Sequence, residues 1–298
     1  MPDAILKRRR REPPINRVAD RHVPEFRRAF LNANNGLRRA VSARQLRQRI
    51  QQGDAFGAIN DMPWRSFRSA LDNSLMRAIE NTMQSGADVA GEEMERLIGF
   101  RPERSAVRPQ ALRNAAQHTL ATTQQLMQES RAALRQIVER AMQGNPDVKT
   151  LAGRLERELR QSIGITRRQA ATLERYRSLL AQQKVPQAQQ SARIRDMTDR
   201  LIAQRANLIA RHESFAAASA GQYAEWQQAI EEGYLDPDVK RMRLEATDEH
   251  TCPICKGLHR QVRGMNEEFE STFDGTKVLH GPAHVGCRGT EVLVIPDI

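Results

Sequence analysis

The stretch "TCPICKG" (Thr251–Gly257) and the stretch "HVGCRG" (His284–Gly289) hold between them all three cysteines of a 298-residue chain. Together they make a C-x-x-C pair, Cys252 with Cys255, and an H-x-x-C pair, His284 with Cys287. Two residues between ligands let one tight turn aim two donor atoms at a single tetrahedral ion, and two such turns complete four coordinates. Zinc (Zn2+) is the expected metal, one ion per chain. Four protein ligands leave no open position, and the chain has no H-E-x-x-H and no H-x-E upstream of the C-x-x-C, so the expected role is structural. His250, His259 and His280 lie nearby and stay open as alternatives to His284, which alone repeats the two-residue spacing to a cysteine. Three buried bystander thiols are the bland alternative, and they leave the paired spacing unexplained.

Gly257 and Gly289 each stand two residues beyond the second cysteine of their turn, where a positive φ would let backbone N–H groups approach the sulfurs. Three thiolates, a neutral imidazole and a divalent ion sum to one negative charge. Lys256 and Arg288, each directly after a ligand cysteine, are expected to offset it, although Lys256 also suits an ordinary surface position.

Around this pair the texture is that of short strands. "RMRLEAT", "HRQV", "KVLH" and "EVLVI" are brief β-branched or apolar runs separated by glycines, which sets off a module over residues 242–298. Everything upstream reads as helix after helix. Ile194, Met197, Leu201, Leu208 and Phe215 mark a helix of about 30 residues or more, ended by Gly233, Asp236 and Pro237. Thr166 and Gln169 after Gly164 form a Thr-x-x-Gln capping box. Asn145 and Pro146 are a cap and first residue, and Leu112, Ala116, Leu120, Met127, Leu134, Val138 and Met142 trace a long helix ending at Gly144. Phe67, Leu71, Leu75 and Ile79 form one stripe behind Asp61 as cap and Pro63 as first-turn proline. The expected divisions are a basic arm over 1–52, a helical region over 53–145, a second over 146–241, and the module.

Composition supports the helical reading. At 39% hydrophobic and 4% aromatic residues, the core must be built from Leu, Ile, Val, Met and Ala between helices, which suits an elongated helical body better than a large α/β enzyme. The fold class expected is mainly α with a small C-terminal α+β zinc-binding module. No catalytic constellation and no G-x-x-x-x-G-K loop accompany it, and neither an enzyme nor a small-molecule substrate is expected. No stretch reaches the roughly 20 apolar residues of a membrane span, and "MPDAILKRRRR" lacks the apolar run of a secretory signal, so a soluble protein made in a cytoplasm is expected.

The net charge of +11 is uneven: residues 1–49 carry 14 Lys and Arg against four acids, +10 of the total. Adjacent like charges and the pair Pro13–Pro14 predict a flexible or partner-ordered arm to about residue 22. Short basic amphipathic helices should follow, broken at "NANNG" (Asn32–Gly36) and stopped at Gly53. Lys7, Arg8, Arg9, Arg10, Arg11, Arg17 and Arg21 are the expected nucleic-acid contacts, through phosphates.

"IARHES" followed by "RLEATDEHTCPICKGLHRQV" and "GPAHVGCRGTEVLVI" resembles the phage head morphogenesis family, the Mu F-like minor head proteins. Their pattern runs Arg-Thr-Glu, then Asp-x-x-Thr-Cys-x-x-Cys, then Pro-x-His-x-x-Cys-Arg. Arg211, Glu213, Asp248, Thr251, Cys252, Cys255, Pro282, His284, Cys287 and Arg288 stand on it, over a resemblance from about Pro146 onward. His212 replaces the threonine, and Gly289 stands where many relatives have a third cysteine. "IQQGDAFGAINDMPWRSF" (Ile50–Phe67) also looks like the family's N-terminal half, with a less specific motif.

The resemblance implies a low-copy component of the capsid interior that docks on the portal protein or major capsid protein. It would act in head assembly and in handling or delivering packaged double-stranded DNA, in the virion and, during assembly, in host cytoplasm. It further suggests that Arg211 and Glu213 hold the module to the preceding helix, with Asp248 as partner for Arg211 and Arg288 beside the thiolates. The reading without the resemblance is a zinc-ribbon regulatory protein binding nucleic acid; against it, the arm lacks aromatic residues for base stacking.

Overall fold

The computed structural model describes residues 14–101, 107–144 and 148–295, so Lys7 to Arg11 and the expected cap at Asn145 and Pro146 lie outside the described residues. The chain is mainly helical: α1 (Pro14–Ala40), α2 (Ala43–Gln51), α3 (Ala55–Asn60), α4 (Trp64–Ile98), α5 (Pro109–Gly144), α6 (Val148–Gln161), α7 (Arg167–Gln182) and α8 (Gln187–Glu231). A small region of strand follows, with β1 (Lys240–Leu244), α9 (Pro253–Leu258), β2 (Val262–Gly264), β3 (Phe269–Glu270), β4 (Lys277–Val278) and β5 (Thr290–Val294). No helix among the described residues is long and apolar enough to cross a membrane.

Two compact units arise, and they do not follow chain order. One gathers described residues 14–26, 75–101, 107–118 and 208–295; the other gathers 27–74, 119–144 and 148–207. The changes of composition near residues 52, 145 and 241 therefore fall within or between elements of these interleaved units.

In the second unit α2 packs against α3 and α6. Arg205 is its buried polar tie: its guanidinium donates to Gly164 O at 2.8 Å and Glu129 Oε2 at 2.6 Å, and lies 5.8 Å from the centre of the Phe30 ring. Gly164, at φ +96°, presses on the Asn34 side chain and starts α7 behind the Thr166–Gln169 capping box. Phe67 and Leu71, the part of the α4 stripe in this unit, are buried, as are Leu75 and Ile79, which belong to the first.

Several expectations give way to packing. Among the described residues helix already covers Pro14 to residue 22, because Ile15, Val18 and Ala19 bury with Val89, Phe215 and Ala218. The "NANNG" stretch does not break it: Asn34 is buried and donates to Phe30 O at 2.9 Å, which keeps its side chain inside the helix's own bonding. Asp61 does not cap α4; it closes α3 and pairs with Arg49. Leu120, Met142 and Leu208 are exposed, since Thr119, Thr123, Ser130 and Ala133 take buried positions on α5 and Ala206 and Ala210 on α8. Small residues let helices approach. Arg38, Arg47 and Arg49, counted with the basic arm, pair with Asp199, Glu156, and Asp54 and Asp61.

The first unit carries the strand module. Helices α4 and α8 meet backbone to backbone, where a Cβ on Gly86 would fall on Ala218 O and one on Gly221 would fall on Met83 O. Ala90, Met94, Tyr223, Trp226, Leu235, Val239, Met265 and Leu293 form one apolar cluster that ties both helices to the strands. β1 is the centre of a three-stranded antiparallel sheet, order β2-β1-β5.

Glu93 on α4 faces that sheet, accepting from Leu293 N at 3.2 Å. Burial raises its carboxyl to about 7, against the lowering effects of the Leu293 N–H, Arg96 and Gln222. A folded-state value above the unfolded one means the native state holds the proton more tightly. The stability that Glu93 contributes is thus fully present below about pH 4.5 and is lost as pH rises to about 7, by roughly 3 kcal/mol. Denaturant titrations at a series of pH values should show that slope, and Glu93→Gln should flatten it.

Candidate metal centre

The site is built on strand β1, whose alternation is inverted. Arg241 and Arg243 point inward and are fully buried, while Met242 and Leu244 are half-buried. Arg241 lies between the rings of Tyr223 and Phe269, 5.1 Å from each centre, and donates to the carbonyls of Leu279 at 2.7 Å and Glu267 at 2.9 Å. Arg243 stands opposite Glu291 across the β1–β5 ladder and pairs with it. It also donates to Glu245 Oε1 at 2.7 Å, Gly281 O at 2.6 Å and, through Nη2, Cys287 Sγ at 3.4 Å. Burial opposes its charge, but Glu291, Glu245 and Cys287 outweigh that and raise its pKa above the ordinary arginine value.

The two cysteine turns sit above this strand. In the first, Cys252 caps α9, Pro253 follows as its opening residue, and Cys255 N points at Cys252 Sγ at 3.5 Å. Thr251 Oγ1 bonds Ala246 O and accepts from Asp248 N at 3.2 Å, which fixes the approach to the turn. In the second, Gly286 at φ +85° makes the bend, Cys287 N donates to His284 O at 3.0 Å, and Gly289 N donates to Cys287 Sγ at 3.3 Å. Arg288 reaches across to Asp248 Oδ1 at 2.7 Å and ties one turn to the other. That bond holds the Asp248 carboxyl well below the usual range and raises the Arg288 pKa.

The donors converge. His284 Nε2 lies 3.1 Å from both Cys252 Sγ and Cys255 Sγ, and Cys255 Sγ is 3.7 Å from Cys287 Sγ. Cys252, Cys255 and His284 can hold a metal ion. Glu245, Cys255 and Cys287 form an adjoining trio through the shared Cys255. His284 Nδ1 lies 3.0 Å from Val285 O, the contact an Nδ1–H tautomer makes, which leaves the Nε2 lone pair facing the sulfurs. The Cys252 thiol is lowered: the contacts of Cys255 and His284 outweigh burial. Burial, then Cys287 and Glu245, push the Cys255 thiol up.

Several sequence expectations are corrected here. Neither Gly257 nor Gly289 has a positive φ. Their need is space: a Cβ on Gly257 would sit 2.6 Å from Ser271 Oγ, and one on Gly289 would fall on Glu245 and Arg243. Asp248 pairs with Arg288 and not with Arg211, which is half-exposed beside Asp20 at 3.5 Å. Glu213 is buried and 3.7 Å from His118. Lys256 is exposed, and the cation against the Cys287 sulfur is Arg243. Among the three alternative histidines, His250 is exposed beside Glu249, His259 Nδ1 accepts from Glu245 N at 3.0 Å, and His280 is stacked on Tyr223. None of them groups with a thiol. Sequence reasoning missed Arg241, Arg243, Glu245 and Glu291; the period-two run Arg241, Arg243, Glu245 was the available signal.

Fold and site together define a helical protein with a small strand module that converges thiols and an imidazole. Residues 186–292, which span α8 and most of the strand module, match the family described as phage Mu protein F like protein, and the match supports a Mu F-like head morphogenesis family for that segment. The match begins later than Pro146 and does not include residues 50–67. No curated protein and no solved structure matches the chain.

Replacing Arg243 would leave two buried carboxylates without their cation. Arg243→Leu should cost about 3–5 kcal/mol of stability, read as a lower denaturant midpoint for the whole chain. A loss below about 1 kcal/mol would contradict the role given to Arg243.

Proposed function

We propose that the protein is a minor structural component of a tailed-phage head, held inside the capsid against the portal protein or the major capsid protein, and without enzymatic activity. The Mu F-like match over residues 186–292 supports a head morphogenesis role and capsid-related partners. The observation that carries the reading is that, within the matched segment, Cys252 and Cys255 converge with His284, and Cys287 stands 3.7 Å from Cys255. Mass spectrometry of purified virions tests it: the chain should be present at low copy. Its absence from virions, together with sequence-selective nucleic-acid binding, would favour a regulatory protein instead.

Zinc bound by Cys252, Cys255, His284 and Cys287 is the second part of the proposal. Glu245 is the competing fourth donor, but its Oε1 accepts from Arg243 and its Oε2 lies 3.7 Å from the Cys287 thiol, whereas His284 Nε2 faces the sulfurs of Cys252 and Cys255. Three thiolates and one imidazole suit a closed tetrahedral zinc site. Such an ion would lock the two turns together and would do no chemistry of its own. Purified protein should retain one zinc per chain through dialysis with a mild chelator, and Cys255→Ser with Cys287→Ser should lose it; full retention in that double variant would contradict the ligand set.

The basic N-terminal residues supply the third part, contact with packaged DNA through phosphates. Arg17 and Arg21 are exposed on α1, and Lys7 to Arg11 precede it in the chain. Because α1 is packed into the fold, the informative variant removes only residues 1–13 and adds Arg17→Gln and Arg21→Gln. On random-sequence duplex DNA its affinity should fall, and its salt slope should flatten by about 0.9 log units for each phosphate that is no longer neutralised. Unchanged affinity and slope would assign these arginines to docking on a capsid protein.

A further inference from the structure

The first unit contains a second convergence of donors that the thiol site does not use. His118 comes from α5, and His212 and Glu213 from α8. One nitrogen of each imidazole and one carboxylate oxygen lie within 4.8 Å of one another. His118 Nε2 stands 3.7 Å from Glu213 Oε1, and the two imidazole rings are 6.0 Å apart. Around a tetrahedral ion with ligands at about 2.0–2.1 Å, neighbouring donors stand roughly 3.3 Å apart. Small side-chain rotations would bring these three to that spacing.

Two features separate this cluster from an ordinary ion pair. A His118–Glu213 pair would give His212 nothing, yet His212 Nδ1 is buried and has no hydrogen-bond partner among the described residues. A buried ring nitrogen without a partner is costly, and a metal ion bound through that nitrogen would relieve it. Exposure is also asymmetric: the Glu213 side chain is 2% exposed and that of His118 is 52% exposed. A buried carboxylate at the base with an accessible imidazole at the mouth gives an ion a route from solvent. Burial, then His118 and His284, lower the His212 pKa, so its imidazole is neutral and its lone pair available at ordinary pH.

We propose that His118, His212 and Glu213 form a second divalent-metal site, selective for a borderline ion such as zinc, that clips α5 to α8. Two imidazoles and one carboxylate are a three-ligand zinc set, with room for a water in the fourth position. Three ligands and an open side make it weaker and more exchangeable than a closed thiolate site.

The test titrates zinc into the full chain after chelator dialysis, against a competing chromophoric chelator, and compares wild type with His118→Ala and His212→Leu. His118 is half-exposed, so its replacement leaves the packed faces intact; unchanged circular dichroism checks this for both variants. Wild type should take up one further equivalent beyond any zinc it retained, and each variant should take up none or bind it at least tenfold more weakly. Cobalt in the same site should give weak visible bands without sulfur-to-metal charge transfer. The titration is run on protein whose thiol site is already filled, checked as one retained zinc per chain before metal is added. No further equivalent in wild type, equal uptake by His118→Ala, or a charge-transfer band for the added cobalt would overturn the proposal.

Discussion

Arg243 is fully buried where β1 passes beneath the second cysteine turn, and the module's arrangement follows from satisfying it. A buried guanidinium requires counter-charge and acceptors on every side. Glu291 supplies them from the neighbouring strand, Glu245 from the end of its own strand, and Gly281 O and Cys287 from the connection between β4 and β5. One side chain thus fixes the β1–β5 register, the path of the chain before His284, and the position of one thiol. Arg241, two residues earlier, does the same for the other end of the sheet, by threading between Tyr223 of α8 and Phe269.

The thiol cluster inherits this geometry. The Asp248–Arg288 bond joins the two turns on the outside, and the Arg243 network supports them from beneath. Without an ion, the close sulfurs keep the Cys255 proton in place, since burial and the neighbouring Cys287 and Glu245 disfavour a thiolate. Metal loading must therefore release protons, and affinity should rise with pH. The family match to residues 186–292 covers α8, both arginines, both carboxylates and all four proposed ligands, so support and site belong to one segment.

Much of this was legible in the sequence, and the exceptions have physical causes. Local signals transferred well: the Thr166 capping box, the stop at Gly53 and the four-residue stripe of α4 all depend on near neighbours, and Cys252, Cys255 and His284 do come together. The role of Arg243 was not legible, because arginine inside a strand reads as an outward face unless the facing Glu291 is known. Gly257 and Gly289 were recognised as necessary, but the need is clearance from Ser271, Glu245 and Arg243, contacts that only the fold creates. Residues 14–22 read as the end of a flexible or partner-ordered arm, yet Ile15, Val18 and Ala19 find Val89 and Phe215 and form a helix. His118 and His212 are far apart in sequence, and no local pattern joins them.

X-ray absorption at the zinc edge, on full-length protein holding only the tightly retained ion, tests the central claim most directly. A first shell of three sulfurs at about 2.3 Å and one nitrogen at about 2.0–2.1 Å is the result predicted for Cys252, Cys255, Cys287 and His284. A shell of nitrogen and oxygen alone, or one with fewer than three sulfurs, would contradict it.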